Sequence, residues 1–489
     1  MLVTYLALAL LLFYIIENVF RKPPEYPPGP SRLPLLGNII SVYLKLKEAK
    51  YYHEVWQAWA KKYGDIIGLQ LGFVNVVIVT GKDLIREVSS REVFEGRPDG
   101  FFYTMRSFGK KLGIVFSDGP TWSSTRLTVL KYLKKFGYNA RFMETYISEE
   151  CKALVKLRLG DAGKPVTLNH MFHITIVNIM WQLVAGKRYD LEDQRLKKLC
   201  NLITDLFKAV DMSGGVLNFV PFLRYLFPNA IGYTKLKLIH NNIHQFLEET
   251  IKEHKSKLDI NNPKDVIDAL LIDMLEHKEK TLSIKELQVV CLDLLEAGME
   301  TVSSTAVFML LYIVRDEAVQ TKLHKEIDEV IGRFQTPSLN DKVRMVYTEA
   351  VLLETLRMSS VAAVGIPHMA LEDAILGSYL IPKGTFILLS MYQLHHAQHW
   401  KDPYVFRPER FLTKDGNLMQ DDWLMPFGAG RRRCIGEGLA RAELFLFLTH
   451  LLQKFRLKVP DGESLPSVEP VDGLTLSAKP FKLVFEPIL

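Results

Sequence analysis

Cys434 stands in Pro426-Phe427-Gly428-Ala429-Gly430-Arg431-Arg432-Arg433-Cys434-Ile435-Gly436, directly ahead of the apolar run Leu439–Leu452. A thiol at the entrance of a helix meets backbone N–H groups and the positive end of the helix dipole, both of which favour thiolate. Gly428 and Gly430 permit turns that residues with a Cβ resist. Gly436 lets a flat ligand lie close to the chain, Phe427 can pack beside the sulfur and keep water from it, and Arg432 supplies a fixed cation for an anionic ligand group. The other cysteines, Cys151, Cys200 and Cys291, show no paired spacing, so neither a disulfide framework nor a zinc site is indicated.

Three further groupings carry chemistry. Glu296-Ala297-Gly298-Met299-Glu300-Thr301 lies in a helical run from Ile284 to about Val314, opened by a Ser283–Glu286 capping box. Gly298 is costly inside a helix, which points to close approach of a ligand or a kink; Thr301 can donate and accept, and Glu300 can pass protons. Trp122 and Arg126, at i and i+4, can both bind a carboxylate. Glu354 and Arg357, at i and i+3, share a face of the helix Val346–Met358.

Phe427-x-x-Gly-x-Arg-x-Cys-x-Gly436 resembles the haem-binding signature of the cytochromes P450 at every fixed position. The likeness extends to the Trp-x-x-x-Arg pair, the Ala-Gly-x-Glu-Thr stretch, the Glu-x-x-Arg pair and Pro408-Glu409-Arg410-Phe411. It implies haem b with Cys434 as the axial thiolate, a ligand that favours O–O cleavage. It further implies that Phe427 and Gly298 lie against the haem, that Trp122, Arg126, His368 and Arg432 meet its propionates, and that Thr301 and Glu300 organise protons for dioxygen. Glu354, Arg357 and Arg410 would form a buried ion network holding the cysteine loop. Phe102, Phe108, Ala297, Val364 and Leu474 would line the substrate cavity. Glu296 departs from the usual apolar residue at its position, and the sequence gives it no role.

The elements that must position these residues read as a mainly α chain with small β sheets, the cytochrome P450 fold. Residues 1–22 are read as a signal-anchor helix: the run Met1–Ile16 is uncharged and the basic pair Arg21-Lys22 follows it. Residues 23–30, with five prolines ahead of and around Gly29, are read as a stiff hinge. One catalytic domain is expected over 31–489. Within it, Tyr51–Tyr63 and Lys82–Ser90 read as helices, and Asp65–Val79 as a hairpin around Gly72-Phe73-Val74-Asn75. Arg91–Gly113 reads as a long apolar loop, which the resemblance makes the roof of the cavity; Val210–Pro228 resembles the family's lid loop that dips into the membrane, with a loop buried in the core as the other reading. Ser378–Ser390 reads as a hairpin, as does Leu474–Phe485 with its tip at Gly473-Leu474-Thr475. His395, His396 and His399 read as surface and helix-end residues.

The chain has 489 residues, 48% of them hydrophobic, enough for a large core. Its net charge of +6 is modest and not concentrated in runs beyond Arg431-Arg432-Arg433, which excludes a nucleic-acid partner and suits an acidic protein or a membrane surface. The resemblance implies a monooxygenase that hydroxylates or epoxidises a lipophilic molecule, such as a steroid, ecdysteroid, sesquiterpenoid or fatty acid. Its expected partners are O2, NADPH–cytochrome P450 reductase, cytochrome b5 and membrane lipid, with the catalytic domain on the cytoplasmic side of the endoplasmic reticulum. Val361-Ala362-Ala363-Val364-Gly365-Ile366-Pro367-His368-Met369-Ala370 resembles an insect branch of the family. The rival readings are a reductase-independent hydroperoxide isomerase or dehydratase and a haem-binding sensor without turnover.

Overall fold

The structure, a computed structural model, describes residues 5, 22–34, 36–138, 141–276 and 282–488. The expected anchor over 1–22 lies outside the described residues, Tyr5 and Lys22 aside. The proline-rich stretch after it is docked onto the domain. Tyr26 is buried and its hydroxyl donates to the carbonyls of Leu69 (3.1 Å) and Val76 (2.9 Å). A stiff hinge is therefore also a packed edge of the first sheet.

A 32-residue helix, Ile284–Arg315, runs through the molecule and packs against the helices His173–Ala185, Gln194–Ala209, Tyr233–Lys257, Val346–Ser359 and Glu437–Lys454. Its apolar residues lie on all sides, which is the pattern of a helix surrounded by others. It is long and apolar enough to cross a membrane, yet 78% of its most apolar window is buried inside the protein, so it is a core helix. Ser283 caps it by accepting from the Glu286 N–H at 3.2 Å. The reciprocal half of the expected capping box is absent, because the Glu286 carboxylate accepts from the Thr125 hydroxyl instead (3.2 Å).

The main sheet has strand order Ile66–Leu71, Val74–Val79, Phe386–Leu389, His368–Met369. Its first pair is the expected hairpin, turning at Gly72-Phe73. Ser378–Ser390 is not a hairpin. Tyr379–Ile381 pairs back onto Ala374–Leu376, whereas Phe386–Leu389 pairs parallel to Val74–Val79. The alternating pattern is the same for both arrangements, and only the long-range partner distinguishes them. The terminal hairpin is shorter than expected: Pro470–Val471 pairs with Ser477–Ala478, and Lys482–Pro487 joins Phe455–Lys458 and Pro165–Thr167.

The roof segment carries a short helix, Phe101–Met105, and the lid segment two, Gly215–Phe219 and Leu223–Leu226. Phe222, Tyr225, Leu226 and Phe227 of the lid are exposed. His395 and His396 do stand at the end of the helix Met391–His395, but both are buried, and of the three only His399 stays partly accessible, against Asp421.

Candidate active site

The cysteine loop is fixed from both ends. Gly430, in the left-handed region at φ +66°, passes so close to the end of helix Lys82–Ser90 that a Cβ would lie 1.8 Å from the Ser89 carbonyl oxygen. The Cys434 N–H donates to the Phe427 carbonyl (3.0 Å), closing the loop before helix Glu437–Lys454 begins. Tyr138 donates to the Ile435 carbonyl and Arg126 to the Arg433 carbonyl (2.7 Å), so the segment is held by side chains from outside it. Cys434 is accessible, whereas Cys151, Cys200 and Cys291 are buried. Surrounding protein nonetheless desolvates its sulfur and pushes the thiol up, against the opposing pull of the Gly436 and Glu437 N–H groups and the Arg126 cation. Burial thus outweighs the helix terminus expected to favour thiolate. A metal cation at the sulfur would reverse that balance.

Beside the loop the structure gathers positive charge. The Arg432 guanidinium lies 3.6 Å above the Trp122 ring centre and donates Nε and Nη2 to the Glu95 carbonyl (3.1 and 2.8 Å). Its Nη1 is buried without a hydrogen-bond partner. Arg97, which the sequence reading missed, is buried and donates its side-chain N–H groups to the carbonyls of Val115 (3.2 Å) and Pro367 (3.0 Å). Burial, and then the neighbouring Arg432, lower its affinity for a proton; burial likewise pushes Arg432 down to about 10. The Asp118 and Glu95 carboxylates offset part of that repulsion. Arg97 left little trace in the sequence, a charge between Gly96 and Pro98 in an otherwise ordinary loop.

Two expected propionate contacts are altered. The Trp122 indole N–H donates to the Ile114 carbonyl (3.2 Å), so the ring serves as the platform for Arg432 and not as a donor to a ligand. His368 is buried, and its Nδ1 donates to the Phe94 carbonyl (2.7 Å). Burial and Arg97 push its pKa down to about 3, leaving a neutral ring with a bare Nε2 that does not attract an anion.

The central helix supplies the opposite wall. From Leu287 to Ile313 every residue is buried except Ala297, Gly298 and Thr301, which form one accessible patch. The Thr301 hydroxyl donates to the Ala297 carbonyl (2.7 Å). Gly298 also has a packing part. A Cβ there would fall 1.9 Å from the Met180 methyl, so the glycine allows helix His173–Ala185 to pack closely. Glu300 points into the protein, accepting from Thr204 (2.9 Å) and Ser304 (3.4 Å), and burial raises its pKa. Asp293, one turn before Ala297, accepts the N–H groups of Ile114 (2.6 Å) and Val115 (3.0 Å), tying the helix to the Trp122–Arg97 cluster.

Glu296, without a role from sequence, belongs to a buried ion group. Arg106 of the roof meets Glu296 at 2.8 Å and Asp293 at 2.7 Å. Phe102 is buried beneath the lid glycine Gly214. Phe108 is exposed and packs at a tilt against His244 under Lys285, away from the Val364–Leu474 cleft. Val364 and Leu474 meet in a small cleft with Trp56, Met212 and Leu388, and the cleft also carries Asp211 and Asp472.

The clamp reaches the cysteine loop through a path the sequence did not reveal. Glu354 and Arg357 are fully buried and 2.7 Å apart, and Arg410 adds a contact to Glu354 at 3.0 Å. Arg357 also donates to the carbonyl of His395 (2.8 Å), whose Nε2 accepts the N–H of Met425, two residues before Phe427 (3.2 Å).

An accessible cysteine, an accessible patch on a buried helix and a cluster of arginines with one buried, unpartnered Nη1 fit a flat, metal-centred, dicarboxylate group such as haem. The chain matches the family model described as Cytochrome P450 over residues 27–485. It is 67% identical to the farnesoate epoxidase of Bombyx mori over 98% of this chain and 97% of that one. It is 34% identical to the probable cytochrome P450 305a1 of Drosophila melanogaster over 98% of both chains, and 33% identical to human cytochrome P450 2C8 over 99% of both. Likeness of this extent, joined to the geometry, places the chain in the cytochrome P450 family, whose cofactor is haem with a cysteine thiolate on the iron.

Proposed function

We propose that this monooxygenase epoxidises a linear sesquiterpenoid of the farnesoate type. The single observation that supports this reading is 67% identity, over nearly the whole of both chains, with a farnesoate epoxidase. The largely apolar walls of the Val364–Leu474 cleft agree with a lipophilic substrate. Steroids, ecdysteroids and fatty acids are the competing classes.

In this proposal Cys434 is the thiolate ligand, and Arg432, Arg97 and Arg126 hold the carboxylates of the haem. When bound, the haem supplies the electron transfer and dioxygen activation that no side chain can. The protein's own residues do the rest. Phe427 shields the sulfur from water, the Ala297–Thr301 patch leaves room for a small ligand, and Thr301 offers a hydroxyl on that patch. Glu300 lies one residue away, and burial raises its pKa, which favours its role as a proton donor. One oxygen atom goes to the substrate double bond and the other leaves as water, using two electrons from NADPH and two protons. A hydroperoxide isomerase would need neither the reductase nor the Glu300–Thr301 pair.

Electrons are proposed to come from NADPH–cytochrome P450 reductase, with cytochrome b5 as a second donor. Arg431 and Arg433 are exposed on the cysteine side; their surface pairs with Glu92 and Glu437 cost little to exchange for an acidic partner, while the buried Glu95 also holds Arg431 (3.1 Å). Attachment to the endoplasmic reticulum through residues 1–22 agrees with the exposed lid residues Phe222, Tyr225, Leu226 and Phe227.

The test is a spectral titration of the ferric holoenzyme with farnesoic acid, its methyl ester, a sterol, an ecdysteroid and a fatty acid. Product analysis with reductase and NADPH follows. A tight low-spin to high-spin shift with the sesquiterpenoids and an epoxide product are expected. A shift confined to sterols or fatty acids would overturn the substrate reading, and turnover of hydroperoxides without NADPH would overturn the reaction.

A further inference from the structure

Glu300 lies on the buried side of the central helix, so any proton it delivers must be replaced from inside the protein. Two histidines stand in the way to solvent. His173 is buried, and its Nε2 lies 3.7 Å from Glu300 Oε2. Its Nδ1 lies 3.2 Å from Nδ1 of His170, which is exposed. The two rings meet edge to face, with centres 4.9 Å apart. Neither ring belongs to the central helix: His173 opens the helix His173–Ala185, and His170 precedes it. The sequence holds them as His-x-x-His, which without the fold shows no link to Glu300, 127 residues after His173.

We propose that His170 and His173 form a proton relay from solvent to Glu300. The proposal rests on the assignment of Glu300 as the proton source beside Thr301. One proton enters at His170 Nε2. The proton on His170 Nδ1 moves to His173 Nδ1, and the Nε2 proton of His173 passes to the Glu300 carboxylate. One proton goes in, one arrives, and no electron moves; the rings are left as the His170 Nε2–H and His173 Nδ1–H tautomers, and exchange of their protons with water restores the starting pair. The last gap is longer than a hydrogen bond and closes by a shift of about 0.5 Å or through one water.

The surroundings suit transfer more than storage of charge. Burial, then His170 and Lys208, push the His173 pKa down to about 3, so the ring hands a proton on instead of keeping it. Burial raises Glu300, with Thr204, Lys208 and Ser304 opposing, so the carboxyl is the receiving end. The charged and titratable groups facing the chain are Lys208 and Asp205 on helix Gln194–Ala209, together with the buried thiol of Cys200. Burial lowers the pKa of both imidazoles, Lys208 adds to the lowering, and Asp205 partly offsets it at His170.

Time-resolved infrared spectroscopy of the ferric holoenzyme in D2O tests the relay without turnover. The Glu300 carboxyl band is assigned by its loss in Glu300→Gln. Its hydrogen–deuterium exchange should slow about tenfold or more in both His170→Ala and His173→Phe. The share of NADPH electrons reaching product should fall in parallel. His170 is exposed, so its replacement leaves the packing intact and separates relay from structure. Exchange at the parent rate in His170→Ala would overturn the relay. Unchanged coupling of NADPH to product in Glu300→Gln would instead overturn the assignment of Glu300, whatever the histidines do.

Discussion

Cys434, Thr301 and Glu443 illustrate how one side chain's surroundings set its chemistry. Cys434→Ala should abolish the thiolate-type spectrum of the reduced carbon monoxide complex and all NADPH-supported turnover, while the chain stays folded. Retention of that spectrum would remove Cys434 as ligand. Thr301→Ala should send about tenfold more of the reducing equivalents to peroxide, because a hydroxyl that steers protons is lost from the accessible patch. Peroxide and product are measured together against NADPH consumed, and an unchanged ratio would clear Thr301 of that role.

Glu443 makes a different point. It is buried in the cysteine helix, one of its carboxyl oxygens has no hydrogen-bond partner, and burial pushes its pKa well above the ordinary value of 4.5. As pH rises past that ordinary value, the unfolded chain ionises first. The stability linked to this group is therefore present at low pH and lost as pH rises through the folded value. Glu443→Gln should raise Tm at pH 8 and leave it nearly unchanged near pH 4. Equal changes at both would mean that packing, not ionisation, decides the effect.

At the scale of elements, the clamp and the loop it supports depend on each other. Glu354→Ala would leave Arg357 and Arg410 buried without their carboxylate, a loss of about 3–5 kcal/mol. Its effect should extend through His395 and Met425 to the cysteine loop, read as faster haem loss in urea as well as a lower unfolding midpoint. Gly430→Ala should be at least as damaging, because its Cβ would strike the backbone of Ser89. Gly298→Ala should be nearly neutral: the group it meets is the mobile end of Met180, and about 1 kcal/mol of helix propensity offsets the adjustment. Thermal denaturation of the two glycine variants side by side separates a glycine needed for its backbone from one needed for packing.

For the whole molecule, the buried histidines predict acid lability. Burial pushes His173, His240, His395 and His396 down to about 3, and His53 and His450 to about 4. The unfolded chain protonates these rings near 6.5, so the stability they contribute is full above that pH. It is lost as pH falls from there towards 3–4. Unfolding monitored by tryptophan fluorescence should become easier below pH 6.5, with net proton uptake. Proton release would contradict the burial of these rings.

The sequence by itself determined which residues could do chemistry and the local elements that carry them. The cysteine loop, the Ser283-capped helix and the hairpin at Gly72-Phe73 all rest on contacts among near neighbours, and near neighbours leave periodic and capping signals. Only the tertiary structure decided what meets across the chain. It turned Phe386–Leu389 to a parallel partner, buried His395 on Arg357, and gave Gly298 to Met180. It supplied the Arg97 cation, joined Glu296 to Arg106, and brought His173 to Glu300. Each of these is a pairing between distant segments, and a long-range partner leaves no spacing in either segment by which to read it.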